Sequence, residues 1–541
     1  MLPLGAQLPL ASPVNLVELM LVLLIAVIAL VLVAQKIEIP YPIPLVIGGL
    51  LLSLIPGLPQ IHLNPDLVFV MFLPPLLYSA GLLTSWRDFH ANLKPILSLA
   101  IGLVLLTIVV TAWFAHHFVG LGWGPSFVLG AIIAPSDAVA ATALAQRLHI
   151  PRRLVTILEG ESLVNDTTSF VAYRFAIAAV MTGMFSLESA SVKFVLIGVG
   201  GTLVGLLMGR VATAVQSRLD DPPVQTTLSL LTPFATYLAA EELGCSGVLA
   251  VVICGLYAGW RAPEILSSRT RLRIRPVWEL VNFILNGLIF ILIGLQLPEV
   301  LQSLSGHSWG QMLGFAIVIL IPVILVRMLW IFAASYIPRL FSRKFCANNP
   351  PLDWRQVALV GWTGLRGVDS LAAALAVPLV VKDGSPFPGR NLIFFLTFAV
   401  IFGTLVLQGL SLAPVIRWLK VEDDHALEKE EKKARLKANQ AALKKLEEIA
   451  LSKPVDAHTI QRLKVEYEDR IAQLESETMD ASESSRGLFT AEYESITRLT
   501  LETERAVILQ LRNDRVINDE VLRHIQRDID LAEARLRQEQ A

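Results

Sequence analysis

Glu161, Ser162, Asn165, Asp166 and Ser169 lie close together in an apolar stretch that opens at Glu159-Gly160 and runs on to about Thr182. Wound as a helix, Glu161 and Asn165 are four apart, Ser162 and Asp166 are four apart, and Ser169 follows Asp166 by three, so one narrow stripe carries nearly all the polarity. An acid flanked by an amide and two hydroxyls suits one task well. It can hold a hard cation among oxygen ligands, or a proton, but not both. A charge near a bilayer centre costs about 2.5–3.5 kcal/mol even on the lenient insertion scale, so such a stripe must face protein or water and serve a purpose. Asp166 is the candidate ion carrier; the plain alternative is a structural acid satisfied by a neighbouring donor.

Other charges sit at similar depth. Asp137 follows Ala134-Pro135-Ser136 in an apolar run, where proline breaks the helix and the positive end of a half-helix dipole would stabilise a carboxylate. Its expected role is electrostatic support. Arg366 lies in the glycine-rich run Gly361-Trp362-Thr363-Gly364-Leu365-Arg366-Gly367-Val368-Asp369 and requires an acidic partner, for which Glu161 is the expected one. Asp369, three residues on, either neutralises Arg366 from the same helical face or is a second titratable site. Glu279, Asn282 and Asn286 form another polar stripe, read as helix-packing hydrogen bonds. His116 and His117 read as an ordinary interfacial pair. The scattered Cys245, Cys254 and Cys346 suggest neither a disulfide framework nor a zinc site.

The elements that must position these residues are membrane spans. The chain has 541 residues, 54% hydrophobic and 17% charged, with mean hydropathy +0.60, more apolar than a soluble domain needs to fill its core. Apolar windows of spanning length fall at about 15–35, 43–57, 66–85, 95–118, 125–147, 154–182, 193–215, 225–242, 245–260, 276–297, 310–337, 354–381 and 390–418, thirteen in all. Lys36; Arg87 and Lys94; Arg147, Arg152 and Arg153; Arg218; the arginines from 261 to 275; and Arg339, Arg343, Lys344 and Arg355 occupy alternate loops. Lys193, Lys382 and Arg390 are the exceptions. This bias places the N-terminus outside and the C-terminal tail in the cytoplasm. No basic n-region precedes the first window, which reads as a retained span.

The fifth and twelfth windows are interrupted. They hold matching places in two sets of six if the seventh is a linker, which is the pattern of an inverted-repeat transporter with its binding site at the broken helices. The expected fold is an all-α polytopic membrane domain over 1–420, with two inverted six-helix repeats and crossed unwound helices. After Trp418 the chain turns rich in Glu, Lys and Arg. Residues 421–541 read as a cytoplasmic helical tail, regulatory or oligomerising, with amphipathic stretches at Glu422–Leu451, Thr459–Leu474, Ala491–Leu511 and Glu520–Leu536.

Phe72-Leu73-Pro74-Pro75-Leu76-Leu77, Ala134-Pro135-Ser136-Asp137-Ala138-Val139-Ala140, Gly160-Glu161-Ser162-Leu163-Val164-Asn165-Asp166 and Gly364-Leu365-Arg366-Gly367 occur in this order. Together they resemble the monovalent cation/proton antiporters of the NhaP and NHE type. The resemblance covers nearly all of residues 15–420, and its Glu-Ser-Leu-x-Asn-Asp block is specific. It implies thirteen spans with a dimerisation part and a six-helix core, hence a homodimer in the cell membrane. It also implies that Asp166 binds sodium or a proton, with Ser162 and a backbone carbonyl beside Ser136 as further ligands. Asn165 matches the asparagine found where electrogenic relatives have a second aspartate. Glu161 and Arg366 match a buried ion pair, and Asp137 the acid at the helix crossing. Two departures stand out: Tyr78-Ser79-Ala80 where many bacterial members carry an acid, and Asp369 where an apolar residue is usual, which bears on stoichiometry.

The function expected is therefore secondary exchange of sodium, lithium or potassium for protons, electroneutral, serving pH and cation homeostasis. Its partners are sodium, protons and lipid, with no cofactor and no nucleic acid. A cation channel, or an ion or pH sensor signalling through the tail, is the rival; broken helices at matched places favour a carrier. No paired His, Cys-His set or nucleophile elbow suggests an enzyme.

Overall fold

The computed structural model describes residues 13–37, 39–55, 65–137, 150–183, 187–303, 308–341, 353–382, 384–421, 426–452 and 457–476, with scattered positions between 500 and 531. The chain divides into two compact units, Met1–Asp424 and His425–Ala541. The second half of the window 125–147, Cys346 and most of the tail stretches Ala491–Leu511 and Glu520–Leu536 lie outside the described residues.

The first unit is helical because lipid leaves a spanning backbone no other way to satisfy its polar groups. Its helices are α1 Pro13–Ile37, α2 Pro42–Ser53, α3 Pro65–Leu83, α4 Trp86–Ala91, α5 Leu93–Val119, α6 Trp123–Ile133, α7 Arg152–Thr182, α8 Leu187–Gln216, α9 Pro222–Glu242, α10 Gly247–Ile265, α11 Ser268–Ser303, α12 Trp309–Phe341, α13 Trp354–Trp362, α14 Val368–Leu375 and α15 Arg390–Leu419. Seven described helices are long and apolar enough to cross a membrane, and α2, the apolar part of α3, and α6 are shorter apolar helices. The 31-residue α7 is in neither group, being the helix that carries the polar stripe. Gly183, at φ 67°, closes it with its N–H on Ala179 O; left-handed backbone of this kind favours glycine.

Two groups of helices follow from the packing. In one, α2 lies against α11, α3 against α10, and α10 against α8 and α9; in the other, α5, α6 and α7 pack on one another while α12 contacts α5, α13 and α15. The first group is held backbone to backbone. A Cβ on Gly255 would lie 2.5 Å from Tyr78 O and one on Gly81 2.8 Å from Val252 O, while Gly49 and Gly294 meet across α2 and α11. Small residues allow this close approach, which replaces the hydrophobic drive that lipid does not supply. One polar side chain of α11 contributes to the same packing, as Ser79 donates to Asn282 Oδ1 at 2.9 Å; Glu279 instead forms an exposed pair with Arg275 on its own helix.

The two groups meet where α7 contacts α3 and α10, and where α14 contacts α3 and α11. The second unit contains α16 Ala426–Ser452 packed on α17 Ala457–Ser476, with Lys464 Nζ 3.6 Å from Glu447. In the same unit Ile508 and Ile529 are buried and pack with Leu501.

Candidate functional site

Both interrupted windows are broken in the structure, and the breaks touch. Helix α6 ends at Ile133 and residues 134–137 are not helical; residues 363–367 separate α13 from α14. Pro135 explains the first break, since it cannot donate to the helical ladder. Gly361, Gly364 and Gly367 explain the second. Across the breaks, the Asp137 backbone N–H donates to Leu365 O at 2.8 Å. Gly367 is required here because Asp137's carboxylate occupies the place of a Cβ. Unwound backbone groups thus satisfy each other inside protein, as irregular backbone at membrane depth must.

α7 crosses beside this junction. Asn165 Nδ2 donates to Ser136 O at 3.1 Å and to Ser136 Oγ at 3.0 Å, which fixes the amide and leaves Asn165 Oδ1 buried without a hydrogen-bond partner among the described residues. Ser136 Oγ in turn donates to Glu161 Oε1 at 2.7 Å. Asp166 is 3% exposed, and its carboxyl faces that of Asp369 in the first turn of α14. Ser162 shares the stripe with Asp166 on α7.

The ion pair differs from the sequence expectation. Glu161 is held by Arg327 of α12, not by Arg366: Arg327 Nη1 bonds Glu161 Oε1, and Nη2 bonds Oε2 at 2.9 Å and Val360 O at 3.2 Å. Arg327 Nη1 also reaches Ser136 Oγ at 3.3 Å. The two-pronged geometry matches a guanidinium to a carboxylate, and with Ser136 it occupies both Glu161 oxygens. Arg366 is 1% exposed, and its Nε and Nη1 have no hydrogen-bond partner among the described residues. The expected neutralisation of Arg366 by Asp369 also fails. Helical i, i+3 spacing does not apply, because Arg366 lies in the unwound stretch and Asp369 in α14. The Arg366 backbone N–H donates instead to Thr404 Oγ1 at 3.2 Å, just before a π-helical turn at Leu405–Gly409.

Arg327 was visible in the sequence as a lone cation in the middle of the window 310–337. An intramembrane charge is by itself a signal of function, but its helix runs unbroken from Trp309 to Phe341 despite Pro322, so no interruption points to it. At the far end of α5, His116 stacks on Trp123 and His117 on Trp113, with ring centroids 4.2 Å and 4.7 Å apart, forming an aromatic cluster. Cys245 and Cys254 are free thiols.

A junction of two unwound helices beside a buried aspartate, within a bundle of apolar helices, is the architecture of a secondary membrane transporter. The family model described as "Sodium/hydrogen exchanger, transmembrane" matches residues 22–418. A Mycobacterium bovis protein named an uncharacterized Na+/H+ exchanger is 35% identical over 528 residues, covering 95% of this chain and 96% of its own. A Bacillus pumilus sodium, potassium, lithium and rubidium/H+ antiporter is 37% identical over 69% of this chain and 57% of its own. The solved sodium proton antiporter MjNhaP1 of Methanocaldococcus jannaschii aligns over 75% of this chain and 99% of its own, with TM-score 0.58 and 19% identity, which shows a shared fold. The chain belongs to the sodium/hydrogen exchanger family, whose members are transmembrane ion antiporters.

Proposed function

We propose that this chain exchanges sodium for protons by alternating access, one for one, with Asp166 as the carrier and with lithium and potassium as competing cargo. The observation that carries the reading is the junction itself, where Asp137 N–H meets Leu365 O and buried Asp166 lies alongside. Asn165, Ser162 and the backbone at Ser136 surround the cargo, which is substrate and not a resident metal. Asn165 cannot release a proton, and Glu161 is neutralised by Arg327, so neither adds a second transported charge. The exchange is therefore electroneutral.

The same reading gives the chain thirteen spans in two inverted six-helix repeats, with the group containing α5, α6, α7 and α12–α15 moving against the other. It puts the N-terminus outside and the tail in the cytoplasm of a bacterial-type cell membrane, with two copies forming a homodimer and the activity serving pH and cation homeostasis. The loop charges support the orientation, and the glycine-bonded group containing α8 and α10 supports a rigid partner for the moving one. Reconstitution with a sodium gradient and an internal pH dye tests it: sodium outside should drive protons out, and a sodium flux without proton counterflow would instead indicate a channel.

A further inference from the structure

Three carboxyls converge at the junction from three elements. Asp137 belongs to the first unwound stretch and lies against Gly367; Asp369 follows two residues later, in the first turn of α14; Asp166 comes from α7 and meets Asp369 carboxyl to carboxyl. On the two helices that carry this pair, buried oxygens are not used up. Among the described residues, Asp369 Oδ1 and Asn165 Oδ1 are buried with no donor, and so is the hydroxyl of Ser169, which shares a face of α7 with Asp166 one turn earlier. Asn165 is 0% exposed and Ser169 1%. A carboxylate oxygen and an amide oxygen can only accept, so they cannot satisfy one another. A set of buried acceptors around an acid pair fits a hard cation, which takes oxygens from carboxylates, amides and hydroxyls.

We propose that Asp369 is a ligand of the transported cation, so that the cargo sits between two carboxyls, Asp166 on α7 and Asp369 on α14. Asn165 Oδ1 and the Ser169 hydroxyl complete the oxygen set. The counter-ion role for Asp369 has no contact to support it, since Arg366 is not its partner. The inference rests on the reading of Asp166 as carrier and adds a specificity determinant to it. Two anionic oxygens give the site a high field strength, which favours small cations, lithium and sodium, over potassium.

The test uses the full-length protein in sealed liposomes, with proton flux recorded against lithium, sodium and potassium concentration for wild type, Asp369→Asn, Asp369→Ser and Asp166→Asn. Removing one charged ligand should raise the half-saturating sodium concentration about tenfold or more. The preference for lithium and sodium over potassium should shrink. Lithium-induced stabilisation in detergent gives a readout independent of transport: the Asp369 variants should need about tenfold more lithium for the same rise in melting temperature. Unchanged half-saturation and cation order in a folded Asp369 variant, or an unchanged lithium response, would overturn the proposal. Full activity of Asp166→Asn would remove the carrier reading itself, whatever the Asp369 variants do.

Discussion

At the scale of the residue, the site is a division of labour among buried charges. Arg327 neutralises Glu161 through two nitrogens and anchors Ser136, which in turn accepts from the amide of Asn165. The pair therefore orients the residue next to Asp166. Removing one member of a buried pair strands the other, at a cost of about 3–5 kcal/mol. Arg327→Ala should accordingly lower the melting temperature in detergent sharply, and Glu161→Gln added to it should recover part of the loss. Arg366→Ala should couple to Glu161→Gln more weakly than Arg327→Ala does in the same double-mutant cycle. Stronger coupling through Arg366 would contradict the geometry.

At the scale of the element, the two broken helices matter because they place backbone and acids in one small volume. Both breaks were legible in the sequence, since Pro135 and the three glycines from 361 to 367 have no other use in an apolar run. The polar stripe on α7 was legible for the same reason, because lipid tolerates no unexplained charge. What could not be read was which elements meet. Glu161 had two buried arginines to choose from, and the choice depends on how α12 lies against α7 and the Ser136 stretch, which spacing along the chain does not encode. Of the two readings of Asp369, the pairing with Arg366 falls because it applies a helical spacing across an unwound segment. The junction itself offers a test: Gly367→Ala places a methyl where Asp137's carboxylate lies, and should cut antiport by about tenfold or more while leaving the glycine-bonded group intact. A normal rate in Gly367→Ala would show that the stretches are not tightly apposed. Gly255→Leu, in contrast, should lower melting temperature through the α3 and α10 contact.

At the scale of the whole molecule, the account predicts how exchange responds to voltage. One cation or one proton between the Asp166 and Asp369 carboxyls leaves the same charge there, so the loaded forms should move through the membrane field alike. Each uncompensated charge would be worth about 2.3 kcal/mol per 100 mV. With potassium and valinomycin setting the potential, sodium-driven proton movement should keep its rate; acceleration by imposed voltage would rule out one-for-one exchange. The orientation is testable in right-side-out vesicles, where a protease added outside should leave α16 and α17 intact.

The central claim is that one buried carboxyl, Asp166, alternates between cation and proton. The direct measurement is sodium-driven proton flux in sealed vesicles carrying wild type or Asp166→Asn, with both proteins first shown to be folded by gel filtration and melting. The account predicts wild-type flux well above empty vesicles and Asp166→Asn flux indistinguishable from them, because the amide keeps the shape and loses the charge. Proton flux at the wild-type rate through a folded Asp166→Asn protein would contradict it.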